Sequence, residues 1–91
     1  MSKFITRIEL HKADERDYEI LSREIGKDSS VQKKKNLLIK AGKGKKGEFN
    51  FSGNISLSEV ADAVYRAIKK TGRNYSFTIM KNKGNYKLHT D

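Results

Sequence analysis

The apolar period of this chain switches between two and 3.6 in an order that repeats, and that order leaves few folds open. Residues 3–11, KFITRIELH, alternate. Phe4, Thr6, Ile8 and Leu10 share one face; Ile5, Arg7, Glu9 and His11 share the other. β-branched residues at a period of two predict a strand with one buried face. Residues 14–25 predict a helix. Asp14 stands as N-cap with Asp17 three residues on, in imitation of a capping box, and Tyr18, Leu21 and Ile25 form a stripe. Gly26 is the expected left-handed stop. Residues 29–35 read as a second strand, with Leu37–Ile39 as a further apolar piece of a long hairpin arm. AGKGKKG, 41–47, reads as a flexible basic hairpin loop, and GEFNFSG, 47–53, as a short strand with Phe49 and Phe51 on one face.

The second helix, 56–71, is the best determined element. Ser56 caps it, Glu59 completes a capping box, and Ile55 is placed to staple onto Val60. Leu57, Val60, Ala61, Val64, Ala67 and Ile68 form its apolar face, and Gly72 ends it. Residues 74–80, NYSFTIM, alternate again, Tyr75, Phe77 and Ile79 against Ser76, Thr78 and Met80. The tail, 82–91, holds a turn from Asn82 to Asn85, then Tyr86 and Leu88; it either adds a fifth strand or frays.

The order β-α-β-β-α-β predicts an α+β class and a ferredoxin-like sandwich, with two helices on one face of a four-stranded antiparallel sheet. The whole of 1–91 is read as a single domain. Each crossover is expected to be right-handed and to join parallel neighbours. The other sheet face is left open, and such a face commonly binds RNA or pairs with a second copy.

Charge narrows the function. Leu, Ile, Val and Phe make up 21 of 91 residues, just above the level of roughly 20% below which highly charged chains stay disordered. Twenty Lys and Arg against eleven Asp and Glu give +9, a footprint that suits a polyanion such as nucleic acid or an anionic membrane surface. The excess is not uniform: residues 1–28 carry six basic and seven acidic side chains, and residues 29–91 carry fourteen and four. Lys33, Lys34, Lys35, Lys40, Lys43, Lys45 and Lys46 put seven positive charges into 14 residues with no acid. This run is the candidate nucleic-acid contact, binding phosphate without reading bases. The same run fits a solubilising gatekeeper loop beside a sheet edge. GKGKKG lacks the spacing of a phosphate loop.

Other chemistries find little support. There is no Cys, so no disulfide, thiolate nucleophile or Cys-based zinc site is expected. The two His, His11 and His89, do not make a metal cluster, and neither metal nor cofactor is expected. No apolar run suits a membrane span and no secretory leader is visible, which predicts a cytoplasmic protein. Phe4, Phe49, Phe51, Tyr75, Phe77 and Tyr86 could stack on bases, but so few large apolar residues are available that most are assigned to the core. For RNA cleavage, the sharpest constellation is the row Arg7, Glu9, His11. Imidazole titrates near neutrality and suits a base or acid at the 2′-OH, and guanidinium holds phosphate bidentately. Alternating charges on a solvated or dimer-facing sheet fit the same row.

Three stretches carry a family resemblance. FITRIELHKADERDYEILSREI, SGNISLSEVADAVYRAIKKTG and NYSFTIM resemble small bacterial and phage proteins of the GhoS-type endoribonuclease antitoxin family, the protein antitoxins of type V toxin–antitoxin systems. The strongest pieces are Arg7-x-Glu9-Leu10-His11, Asp17-Tyr18-Glu19 and the Ala/Val-rich helix ending at Thr71-Gly72. The chain departs from the family across 28–48, where it has a lysine-rich loop and no proline. The resemblance implies a ferredoxin-like fold like that of CRISPR-associated ribonucleases, and cleavage of a toxin's messenger RNA. It implies Arg7 and His11 as catalytic candidates, with Arg23 assisting. The alternatives are a non-catalytic nucleic-acid binder, and a homodimeric interaction module using the open face or an edge strand.

Overall fold

The computed structural model describes residues 2–42 and 46–82. Four strands and three helices follow one another: β1 (Ser2–Leu10), α1 (Glu15–Lys27), α2 (Ser29–Gln32), β2 (Leu38–Ala41), β3 (Glu48–Gly53), α3 (Leu57–Thr71) and β4 (Tyr75–Asn82). The strands form one antiparallel sheet in the order β2-β3-β1-β4, a ferredoxin-like α+β arrangement. The expectation of parallel neighbours is corrected. Each crossover joins parallel strands with one strand between them: β3 separates β1 from β2, and β1 separates β3 from β4.

Alternation decides which face is covered. Phe4, Thr6, Ile8 and Leu10 of β1 and Phe49 and Phe51 of β3 are buried, while Arg7 and Glu9 are exposed. The buried face meets Leu21 and Ile25 of α1 and Val60, Ala63, Val64, Ala67 and Ile68 of α3. Each large side chain so buried contributes roughly 1.5–3 kcal/mol relative to exposure. Thr6 is fully buried, and its hydroxyl donates to the Phe49 carbonyl at 3.0 Å, which removes the cost of a buried polar group.

Both predicted capping boxes form, Asp14 with Asp17 and Ser56 with Glu59. Gly72 ends α3 in the left-handed conformation, φ 71°. Gly26 does not end α1. The helix runs through it to Lys27, and Asp28 follows in an extended conformation. The predicted strand over 29–35 is corrected by the same residue. The Asp28 carboxylate accepts from the Ser30 N–H at 3.0 Å and the Ser30 hydroxyl at 2.6 Å, which starts the one-turn helix α2 and buries Val31. Asn36 then takes a positive φ of 63°, so extended backbone begins only at Leu38. Leu57, assigned to the apolar face of α3, is 53% exposed because it sits in the first turn, beyond the sheet's cover. Among the described residues, no helix is long and apolar enough to cross a membrane. Lys43 and Lys45, and the tail with Tyr86, Leu88 and His89, lie outside the described residues.

Candidate nucleic-acid interface

β2 is an edge strand, and the lysine run follows it. Lys33 caps the end of α2, and Lys33, Lys34 and Lys35 line a shallow hollow with Asn36, Gly53 and Asn54. Lys40 projects from β2 on the open face, in register with Asn50. Lys46 lies beyond the far end of β2, just before β3. The four residues of β2, about 13 Å of strand, lie between the two lysine groups, with further residues on either side. Two of the described lysines are engaged internally: Lys34 lies 2.8 Å from the Glu59 carboxylate and Lys46 lies 3.8 Å from Glu15. The Lys34 ammonium, and then the Ser56 N–H, hold the Glu59 carboxyl below its ordinary value. Lys33, Lys35 and Lys40 have no ion-pair partner among the described residues.

The open face carries charges rather than rings. Across β3, β1 and β4 the register aligns Asn50, Ile5 and Met80, then Glu48, Arg7 and Thr78, with Glu9 beside Ser76. The aromatic residues of β1 and β3, Phe4, Phe49 and Phe51, are buried under the helices, and Tyr75 and Phe77 share the helix side of β4. Bases therefore find no stacking platform on the described open face, and what it offers a nucleic acid is charge and hydrogen bonding.

The three catalytic candidates are not gathered together. Arg7 and Glu9 line one hollow at the end of the sheet, with Tyr18, Lys46, Glu48 and Thr78. His11 does not line it. It begins the turn after β1, is exposed, and donates its backbone N–H to the Asn74 carbonyl at 2.8 Å. Arg23 is exposed on α1, in the helix layer, with the sheet between it and Arg7.

The floor of that hollow is built closely. The Ile8 N–H donates to the Gly47 carbonyl at 2.8 Å, and a Cβ at Gly47 would overlap the Ile8 carbonyl oxygen. Two residues further along β1 the partner is a side chain. There the Tyr18 hydroxyl accepts the Leu10 N–H at 3.0 Å.

Two ion pairs that the sequence did not point to fasten the crossovers. Arg66 grips Asp28 with two hydrogen bonds, Nε to Oδ2 at 2.8 Å and a terminal nitrogen to Oδ1 at 3.0 Å, and reaches the Ser30 hydroxyl at 3.1 Å. The Asp28 side chain is only 6% exposed, and Arg66 holds its carboxyl far below the usual carboxylate range. Arg73 donates to Asp17 at 3.0 Å, and the Asp14 N–H and Arg73 together lower the Asp17 carboxyl. Such pairs span 38 and 56 residues, and no local pattern marks them. No group of three or more His, Cys, Asp or Glu among the described residues is arranged to hold a metal. No family model, curated protein or solved structure matches the chain.

Proposed function

We propose that this chain is a small RNA-interacting protein that holds phosphate backbone along its β2 edge. The observation that carries the reading is the acid-free run of seven lysines over 33–46, of which Lys33, Lys35 and Lys40 flank or lie on the β2 edge strand and have no ion-pair partner among the described residues. Phosphate contacts position a polyanion without reading its sequence, which fits an interface made of ammonium groups and poor in exposed rings. The test is the affinity for a labelled single-stranded RNA at about 50 and 200 mM salt. If four phosphates are neutralised, affinity falls about 50-fold between the two. Reversing charge at Lys33, Lys35 and Lys40 to Glu removes most of the affinity and flattens the salt slope. No binding at low salt, or a salt-independent affinity, would overturn the reading.

Cleavage is the finer reading, supported by the sequence resemblance to endoribonuclease antitoxins and by Arg7 standing beside Glu9 on the open face. It assigns the scissile phosphate to Arg7 and the 2′-OH proton to His11, and it requires bound RNA to bring together two side chains that the fold does not gather. The reaction takes place in a bacterial cytoplasm, on a toxin's message. Running the bound RNA on a gel tests it: cleavage that Arg7→Ala and His11→Ala abolish supports it. Intact RNA, with and without divalent metal, leaves a non-catalytic binder. A homodimer is the remaining reading, supported by the adjacent Ile5 and Met80 on the open face, and sedimentation velocity tests it.

A further inference from the structure

The two edges of the sheet are dressed differently, and the edge opposite the lysines gathers the exposed rings. Tyr65 of α3 is 44% exposed and Tyr75, at the start of β4, is 37% exposed. Their ring centroids lie 6.1 Å apart at 69°, and Tyr75 stacks on Phe77 at 5.9 Å and 21°. The Lys69 ammonium lies 5.8 Å from the centre of the Tyr65 ring. Three rings and an ammonium thus form a ledge on the helix side of β4. Phe77 packs against the core, but Tyr65 and Tyr75 are not among the fourteen buried apolar side chains that close the interior of the described residues.

We infer that this ledge is a stacking site for an unpaired nucleobase, with Lys69 placed for the adjoining phosphate. The inference rests on the RNA reading above and adds to it a contact with bases rather than backbone. The flat faces of Tyr75 and Tyr65 suit a heterocycle, and the Lys69 ammonium over the Tyr65 ring suits the anion attached to it. The chain's charge of +9 favours an anionic occupant over an acid-poor peptide. The β2 edge lies three strand spacings from β4, about 14 Å, and the register sets Tyr75 beside Leu10 but Leu38 level with Lys3, so the two sites are also offset by seven residues, about 23 Å, along the strands. One strand of about ten nucleotides, inside the usual range of single-strand site sizes, can reach both edges.

The experiment compares two probes on the full chain: a ten-nucleotide single-stranded RNA, and linear polyphosphate of similar charge. The double variant Tyr65→Leu and Tyr75→Leu keeps apolar cover on the edge but removes the flat faces. Its RNA affinity is expected to fall about tenfold or more, with polyphosphate affinity unchanged. In wild-type protein, without any substitution, RNA is expected to shift the amide NMR signals of Tyr65, Lys69 and Tyr75, and polyphosphate to leave those of the two tyrosines in place. If both probes bind wild type and double variant equally, and RNA leaves these signals unmoved, the ledge is only edge cover and the inference falls while the phosphate reading stands. Signals that move with protein concentration instead would mean that a second copy covers the ledge, which also overturns it. If neither probe binds wild type, the phosphate reading itself has failed.

Discussion

The β2 and β4 edges end the same kind of strand–helix–strand crossover, yet they are held in opposite ways. β4 follows a helix that stops cleanly at Gly72 and pairs with β1 over eight residues. β2 arrives after Asp28, a one-turn helix and a left-handed Asn36, and pairs with β3 over four residues. The long edge rests mainly on its backbone ladder. The segment leading to the short edge is tied down by side chains, Asp28 to Arg66 and Lys34 to Glu59, both reaching α3. A strand that needs few ladder bonds can be flanked by lysines, and those lysines also discourage edge-to-edge pairing.

The largest expected effect breaks the closure beneath the β2–β3 hairpin. Gly47→Ala forces a methyl against the Ile8 carbonyl, where only backbone could yield, so urea unfolding should show a loss of about 2–4 kcal/mol. Acid sharpens the contrast between ladder and ion pair. The Asp28 carboxyl sits below its ordinary 3.8 in the folded chain, so its contribution is complete above that value and is lost as pH falls through the folded value. The urea midpoint should therefore drop between about pH 5 and pH 2, and Arg66→Gln should make that drop shallower. Part of the drop should remain in the variant, because Asp17 and Glu59 are lowered as well. A variant with the full wild-type acid slope would show that the clamp does not fasten the first crossover.

On the β4 side the effects are smaller and local. Gly72→Ala has open space for its methyl but a left-handed backbone, so it should cost about 1–2 kcal/mol, read from the thermal midpoint. Ser56→Ala removes the acceptor for the Glu59 N–H and should cost about 1 kcal/mol. If either equalled Gly47→Ala, the long edge would depend on its helix ends rather than on its ladder.

Much of this architecture was readable from local rules. The period-two stretches of β1, β3 and β4 and the boxes at Asp14 and Ser56 depend on neighbours within a few residues, and they formed as read. The first crossover was not readable in that way. Gly26 looked like a stop because glycine suits one, but Asp28 provides a second N-cap two residues later and the chain has no need to stop earlier. Residues 29–35 looked extended because their lysines hide the single buried Val31. The candidate site divides likewise. Arg7 and Glu9 share a face because they are two apart on a strand, whereas Arg23 belongs to a helix layer that only the assembled fold places across the sheet. The exposure of Tyr75 arises from the strand order, which leaves β4 at an edge of the described sheet, and no residue within β4 announces that.

The strand order also sets a timetable for synthesis. β1 is the first strand made and sits second from one edge, and its partner on that side is β4, the last of the described strands. Between Leu10 and Tyr75 the ribosome must add 64 further residues, so the β4-facing hydrogen-bonding groups of β1 wait several seconds at ~5–20 residues per second. Until β4 is made, one side of β1 lacks its partner even after β3 has paired with the other, which makes closure of the sheet a late event.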